Sequence, residues 1–297
     1  MSTRRTARGD GDGLVSPDRR YPLELDQTEV ERYRTMAEQA RAAEADLWEP
    51  AGIVAGARVA DVGCGPGAML PALAAAVGPH GQVTAVDADP EAVAAATALV
   101  AAAGLGNVAV QQGRADSTGL AVGSLEVVML RHVLAHNGGA EDAIVAHLAI
   151  LVRPGGCLYL VDADLTAIRV IPEAEHPDLV ELQDRYLAFR AAQGEDNAAG
   201  LRLAERLIRA GLELVEFRGR YVIRELSPRL RSPAWAAREA MVAAGMATAE
   251  DLGRWDRAFE ATASRPATFF APMFTAIGRR PARSDQLEPG SNAAPAV

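Results

Sequence analysis

The sequence predicts an α/β protein built on a doubly wound, largely parallel sheet, and three observations carry that expectation. From Arg58 onward, short apolar runs alternate with alanine-rich stretches long enough to be helices, the pattern of strands joined by crossover helices. One of those runs ends in Asp61 and passes through Gly63, Gly65 and Gly67 directly into a helical stretch, the arrangement of a strand–turn–helix ligand site. The next run, Val83-Thr84-Ala85-Val86, delivers Asp87 about twenty residues beyond the glycines, where an acid can reach a ribose.

In chain order, residues 1–20 and 284–297 are rich in Gly, Pro, Ser and charge and are expected to be disordered tails. Between Asp26 and Trp48 the apolar positions Val30, Tyr33, Met36, Ala37, Ala40, Ala43 and Leu47 recur at helical spacing, and Asp26 with Glu29 reads as an N-terminal cap. Residues 21–56 are thus predicted to form a helical lid ahead of the core. The core, residues 57–165, is expected to contain strands Arg58–Val62, Gln82–Val86, Val108–Gln112, Leu125–Leu130 and Cys157–Val161, with helices Ala68–Val77, Glu91–Ala103 and Glu141–Val152 between them. Asp89 before Pro90 looks like a helix cap, which leaves Asp87 for a ligand. In residues 166–283 helical stretches at Pro177–Gln193, Leu201–Ala210 and Pro233–Ala263 interleave with β-like runs Leu212–Ile223 and Phe269–Ile277. Late helical insertions of this kind usually build a substrate lid.

Composition narrows the partners. A net charge of -9 repels phosphate backbones, so no nucleic-acid partner is expected. Every basic side chain is arginine, which excludes Schiff-base chemistry and a P-loop lysine. Cys64 and Cys157 lack the spacing of a disulfide framework or a metal knuckle, and a reducing cytoplasm is expected. The opening residues lack the apolar core of a signal peptide and no run approaches spanning length, so no membrane is expected.

The glycine loop alone does not name a ligand, because Gly63-x-Gly65-x-x-Ala68 also fits the dinucleotide fingerprint, and Asp87 suits the adenosine of either NAD or S-adenosylmethionine. Asp116, after the third strand, stands where a side chain could accept from an adenine amino group. Together these residues resemble the class I S-adenosylmethionine-dependent methyltransferases. Asp61 to Gly67 resembles their first motif and Asp87 their ribose-binding acid. Asp116-Ser117-Thr118-Gly119-Leu120-Ala121 resembles their adenine segment, with Ala121 for the usual proline. Arg131-His132-Val133-Leu134-Ala135-His136 resembles the loop beneath the methionine moiety, and Leu151-Val152-Arg153-Pro154-Gly155-Gly156 the turn into the fifth strand.

The resemblance implies a Rossmann-like seven-stranded sheet whose last strand, at Phe269–Ile277, is antiparallel, and S-adenosyl-L-methionine as cofactor. It implies cofactor contacts from Asp61, Gly63, Cys64, Gly65, Gly67, Asp87, Ala88, Ala115, Asp116, Ser117, Arg131 and, from the N-terminal helix, Tyr33. An NAD-dependent oxidoreductase and a non-catalytic S-adenosylmethionine-binding scaffold are the alternatives. A nucleophile elbow at Ala115–Gly119 fails because the chain leads on into a strand rather than a helix.

Candidate catalytic residues are His132, His136 and Asp162, with Asp164 nearby at the carboxyl end of the fifth strand. The His132/His136 pair lacks the glutamate of H-E-x-x-H and a third ligand, so no metal is expected. Tyr21, Tyr186, Phe189, Trp235 and Phe270 are candidates for lining a substrate lid. The chain lacks the Asn/Asp-Pro-Pro-aromatic tetrapeptide of many DNA and glutamine N-methyltransferases, and a small-molecule acceptor is expected. The layout also resembles actinobacterial natural-product C-methyltransferases of the teleocidin-forming kind, which implies C-methylation of a prenylated indole coupled to terpene cyclisation. O- or N-methylation of a phenolic, polyketide or quinone-like molecule is the alternative. The N-terminal helix could pack over its own cofactor site or over a neighbour's in a homo-oligomer.

Overall fold

The computed structural model describes residues 27–228 and 230–282. The chain opens with α1 (Gln27–Ala43) and α2 (Ala45–Ala51), and then alternates β1 (Arg58–Val62), α3 (Leu70–Val77), β2 (Gln82–Asp87), α4 (Pro90–Ala102), β3 (Val108–Gln112), β4 (Leu125–Arg131), α5 (Glu141–Leu151) and β5 (Val152–Ala163). There follow β6 (Arg169–Ile171), α6 (Pro177–Ala192), α7 (Leu203–Arg209), β7 (Glu213–Leu226), the helices α8 (Pro233–Ala236), α9 (Arg238–Ala243) and α10 (Ala249–Ala261), and β8 (Ala267–Arg279).

The sheet runs β3-β2-β1-β4-β5-β8-β6, with β7 on the free edge of β8; β1 to β5 are parallel and β8 is antiparallel to its neighbours. The antiparallel last strand is as expected, but there are eight strands rather than seven. The register gives the reason: Ala163 faces Met273 and Arg169 faces Phe270, so six steps of one chain oppose three of the other. The chain bulges outward at 164–168 and β6 then resumes the line of β5 along β8.

Both faces of the parallel part are covered, which explains why β1 reads as an almost continuous apolar run instead of an alternating one. Leu70, Leu73, Ala96 and Tyr159 pack on the face beneath α1 to α4, and Leu148, Leu158 and Leu207 on the face beneath α5 and α7. β7 and β8 overrun the carboxyl ends of the parallel strands. On that extension a third cluster forms, with Trp255, Phe259, Phe269, Leu182 and Met241 packed beneath α6 and α8 to α10. Each such side chain contributes roughly 1.5–3 kcal/mol on burial, so this helical layer carries its own core.

Local chemistry places most boundaries. Asp89 caps α4 by accepting from the Glu91 N–H at 2.9 Å, with Pro90 in the first turn. α10 starts on a capping box of Thr248 and Asp251. Two expectations are corrected. The single helix expected over Asp26–Trp48 breaks at Glu44, whose side chain is drawn into the sheet, and Asp26 itself lies outside the described residues. The helical stretch expected over Pro233–Ala263 is three short helices, interrupted where Gly245 adopts φ 71°.

Candidate functional site

The acids and glycines meet at the carboxyl ends of β1, β2 and β3. After Val62 the N–H groups of Gly63 and Cys64 both donate to the Val86 carbonyl, at 2.7 and 3.1 Å, which turns the chain sharply across β2. Gly63, Gly65 and Gly67 all have positive φ (69°, 54° and 84°), but their surroundings differ. A Cβ on Gly63 would lie 2.3 Å from Val133 Cγ2, and one on Gly67 would lie 2.9 Å from Leu70 Cδ1 and 3.2 Å from Ala96 Cα. Both are glycine because the protein packs against them. A Cβ on Gly65 would meet no atom within 4 Å, so here the loop opens to space from which a ligand can approach the backbone.

Asp87 ties this loop to β2: Oδ2 accepts from the Gly65 N–H at 2.8 Å and Oδ1 from the Asp89 N–H at 3.0 Å. Burial raises its carboxyl above the ordinary value, against the pull of these two bonds. Ala88, the next residue, is exposed. The Cys64 thiol is buried and donates to the Gly65 carbonyl at 3.5 Å, and burial pushes its pKa up, away from thiolate reactivity.

The Asp116 turn closes the third side. Arg114 grips Asp116 through two bonds of 3.0 Å, and the Ser117 hydroxyl donates to the same carboxylate at 3.0 Å; Arg114 holds this carboxyl below its usual range. Ala115 packs half-buried against the cluster beneath α5, and Thr118 is pinned to that helix by His147 Nε2, which accepts its N–H at 3.1 Å.

Asp61 lies beneath the glycine loop, 2% exposed, and burial pushes its pKa to about 7 although Arg131 pulls it down. Arg131 was expected to face the cofactor. Its guanidinium instead grips Glu44 through bonds of 2.6 and 3.2 Å, and the same carboxylate accepts from the Tyr159 hydroxyl at 2.9 Å and from Arg220 at 3.2 Å. The junction of α1 and α2 is thereby fastened across β4, β5 and β7, beside Asp61.

His132 follows β4 with φ 56°, the one non-glycine positive φ among the described residues, and its N–H donates to Val161 at 2.8 Å. His136 closes a 3-10 turn over Leu134–His136, its Nδ1 3.1 Å from Arg190 Nη1 and 3.5 Å from Glu195. Asp162, expected as a proton acceptor at the mouth, is 2% exposed. Both its oxygens are taken by backbone, Oδ2 by the Ala135 N–H at 3.0 Å and Oδ1 by the Ala163 N–H at 2.9 Å, so it braces the loop after β4. Asp164 caps the bulge through Thr166.

The expected lid aromatics do not converge. Tyr186 and Phe189 are buried in the third core cluster, with Arg190 over the Tyr186 ring. Trp235 has Arg231 4.0 Å from its ring centre and Arg238 3.5 Å from it; two guanidinium groups that close occupy opposite faces, and the indole N–H donates to Asp256 at 2.6 Å. No face of that ring is left for an acceptor. Phe270 lies with Tyr221, Ile171, Ala167 and Arg169 around a cavity of about 360 Å³ on the overrunning part of the sheet. Tyr21 lies outside the described residues, and so does the side chain of Tyr33, whose backbone is in α1.

Residues 59–156, from β1 to the glycine turn of β5, match the protein family described as "Methyltransferase domain". Over those residues the chain is similar to a methyltransferase domain. Curated relatives resemble the same part of the chain: nocamycin O-methyltransferase of Saccharothrix syringae is 36% identical over 135 residues, 46% of this chain and 45% of the relative. An uncharacterized 37.1 kDa protein of a Streptomyces fradiae transposon is 33% identical over 119 residues, 40% of this chain and 32% of the relative. The chain thus spans a third to just under half the length of these relatives. Among solved structures, the YcgJ protein of Bacillus subtilis superposes with TM-score 0.52 at 17% identity, over 81% of this chain and 99% of that one. Haemonchus contortus phosphoethanolamine N-methyltransferase 2, in complex with phosphomonomethylethanolamine and S-adenosylhomocysteine, gives 0.51 at 13% identity, over 86% of this chain and 58% of that one. These likenesses establish the fold.

Two features around the site escape a motif reading. Glu44 and its partners Tyr159 and Arg220 form the buried charge cluster beside Asp61, and Arg190 ties α6 to the loop after β4 through His136 and the Ala135 carbonyl, the latter at 2.9 Å. A signal for Glu44 does exist. It falls four residues after Ala40 and three before Leu47, an acid on the stripe that the helix buries. Arg190, on a helix of mixed polarity, offers no comparable signal.

Proposed function

We propose that this protein is an S-adenosylmethionine-dependent methyltransferase acting on a small organic molecule. The observation that carries this reading is the glycine loop, open at Gly65 and fastened by Asp87, above a buried Asp61. The fit favours this cofactor over a dinucleotide on charge. A pyrophosphate would bring two negative charges to a turn that already holds Asp61 and Asp87, whereas a sulfonium is a cation. Asp87 would take the ribose hydroxyls and Asp116 the adenine amino group, with Ala88, Ala115 and Ser117 walling the base. Gly63, Cys64, Gly65, Gly67 and Asp61 would hold the methionine end, with Tyr33 covering it and Arg131 acting from beneath.

When bound, the cofactor supplies a methyl group already activated on sulfur. The chain's part is to align an acceptor with that methyl and to keep water out. The α1–α2 segment, anchored by Glu44, would do the second.

The similarity to nocamycin O-methyltransferase favours an oxygen acceptor on a natural product. C-methylation of a prenylated indole coupled to cyclisation is the second reading. It is favoured by the engagement of Asp162 by two backbone amides and of His136 by Arg190, since an alkene carbon needs no base to remove a proton before it attacks.

Titration calorimetry with S-adenosylhomocysteine and NAD tests the cofactor: heat with the first and none with the second is expected, and the reverse would refute the reading. Mass spectrometry after incubation with phenolic and prenylated-indole panels then assigns the acceptor. Binding without methylation of any member would favour a scaffold.

A further inference from the structure

β7 is the outer edge of the sheet: it is bonded to β8 along its length and to no other described strand. A long row of unpaired N–H and C=O groups is a template for another strand, and proteins usually blunt such an edge with lysine, proline, a bulge or brevity. Glu213–Leu226 has fourteen residues and no proline, and its register shift, between Leu214 and Glu216, lies at the end away from Tyr221 and Ile223. Its open face also carries Phe217, Tyr221 and Ile223, which are 41%, 62% and 60% exposed. Large apolar side chains spaced by two along an edge strand are the mark of a covered surface.

The order of residues identifies what covers it. We propose that β7 joins two copies of this chain edge to edge, antiparallel, with the twofold axis at Arg220. A twofold joint requires a strand complementary to its own reverse, and the sequence Glu216-Phe217-Arg218-Gly219-Arg220-Tyr221-Val222-Ile223-Arg224 satisfies that requirement about Arg220. Glu216 then faces Arg224 of the second copy, Phe217 faces Ile223, and Gly219, the one gap on the open face, receives Tyr221. Phe274 already leans over Gly219, and Phe217 stacks on it at 5.6 Å, so the incoming tyrosine meets an aromatic surface.

Neighbouring registers fail on charge. An axis at Gly219 sets Arg218 against Arg220, and one at Tyr221 sets Arg218 against Arg224. In the register centred on Arg220 the like-charged pair is Arg220 with itself, and each Arg220 is held by the Glu44 carboxylate of its own chain at 3.2 Å.

Light scattering after gel filtration of the full chain is expected to give the mass of two chains. Tyr221→Lys with Ile223→Lys should halve that mass while S-adenosylhomocysteine binding stays unchanged and the melting temperature loses its dependence on protein concentration. Oxidation of a Phe217→Cys, Ile223→Cys variant should give a linked dimer on a non-reducing gel, whereas Phe217→Cys with Tyr221→Cys should not. A single-chain mass at every concentration would overturn the interface, and linkage through the second pair would overturn the register. A single-chain mass that doubles when residues 1–26 are removed would show that this chain's own tail covers β7, and would overturn the proposal as well. None of these readouts depends on catalysis.

Discussion

Replacing Glu44 by Gln tests whether the α1–α2 segment is locked to the cofactor end of the sheet by charge. The carboxylate is 1% exposed and accepts four bonds, two from Arg131, one from the Tyr159 hydroxyl and one from Arg220. Gln keeps the shape but leaves two arginines facing a neutral amide, and breaking a buried ion pair from one side costs about 3–5 kcal/mol. At roughly 2–4 °C per kcal/mol in a protein of this size class, Tm should fall by about 6 °C or more. Amide exchange within α2 should quicken by roughly a hundredfold if the loss is local, since about 1.4 kcal/mol is tenfold. The loss should also depend on pH in a stated direction. Arg131 and its neighbours hold the Glu44 carboxyl below its ordinary value despite burial. The charged lock therefore stabilises fully above the unfolded value of about 4.3 and fades as pH falls through the folded one. Scanning calorimetry and hydrogen exchange across pH 4–8 supply the readings. A variant that melts with the parent at pH 7, with unchanged exchange in α2, would refute the lock.

Asp61 should show the opposite sign. Its folded pKa of about 7 lies above the unfolded carboxyl value, so its contribution is complete below pH about 4 and is lost as pH rises to about 7, on the order of 4 kcal/mol for three units. Asp61→Asn should remove that slope in urea unfolding and be the more stable protein at pH 8; parallel profiles would contradict this. Gly65→Ala should cost only about 1–2 kcal/mol for its left-handed backbone, because no atom opposes the new methyl. It should nonetheless weaken S-adenosylhomocysteine binding by more than about tenfold by calorimetry. Gly63→Ala drives a methyl against Val133 and should cost about 1–3 kcal/mol as overpacking, with partial recovery on adding Val133→Ala, both read from thermal melts. Trp235→Phe loses the bond to Asp256 and should lower Tm, yet leave the KM of a methyl acceptor unchanged; a raised KM would return Trp235 to the acceptor site.

Much of the core was legible because its causes are local. β1, β2 and β3 were placed within a residue from short apolar runs, and the Asp89–Pro90 cap from two adjacent side chains. The side-chain partners at other positions follow from choices a run of residues cannot encode. The acid at Asp162 and the indole of Trp235 are site candidates by residue type, but their partners arrive from the loop after β4, and from the turn before α8, from α9 and from α10.

The sequence by itself determined the doubly wound order, the glycine turn and the acid at the end of β2, because periodicity and positive φ act over a few residues. Only the tertiary structure decided that Arg131 serves Glu44, that Asp162 braces a loop, and that β5 bulges before resuming as β6. Glu44 and Arg220 are 176 positions apart, and a buried charge finds its partner only when packing has chosen which faces meet.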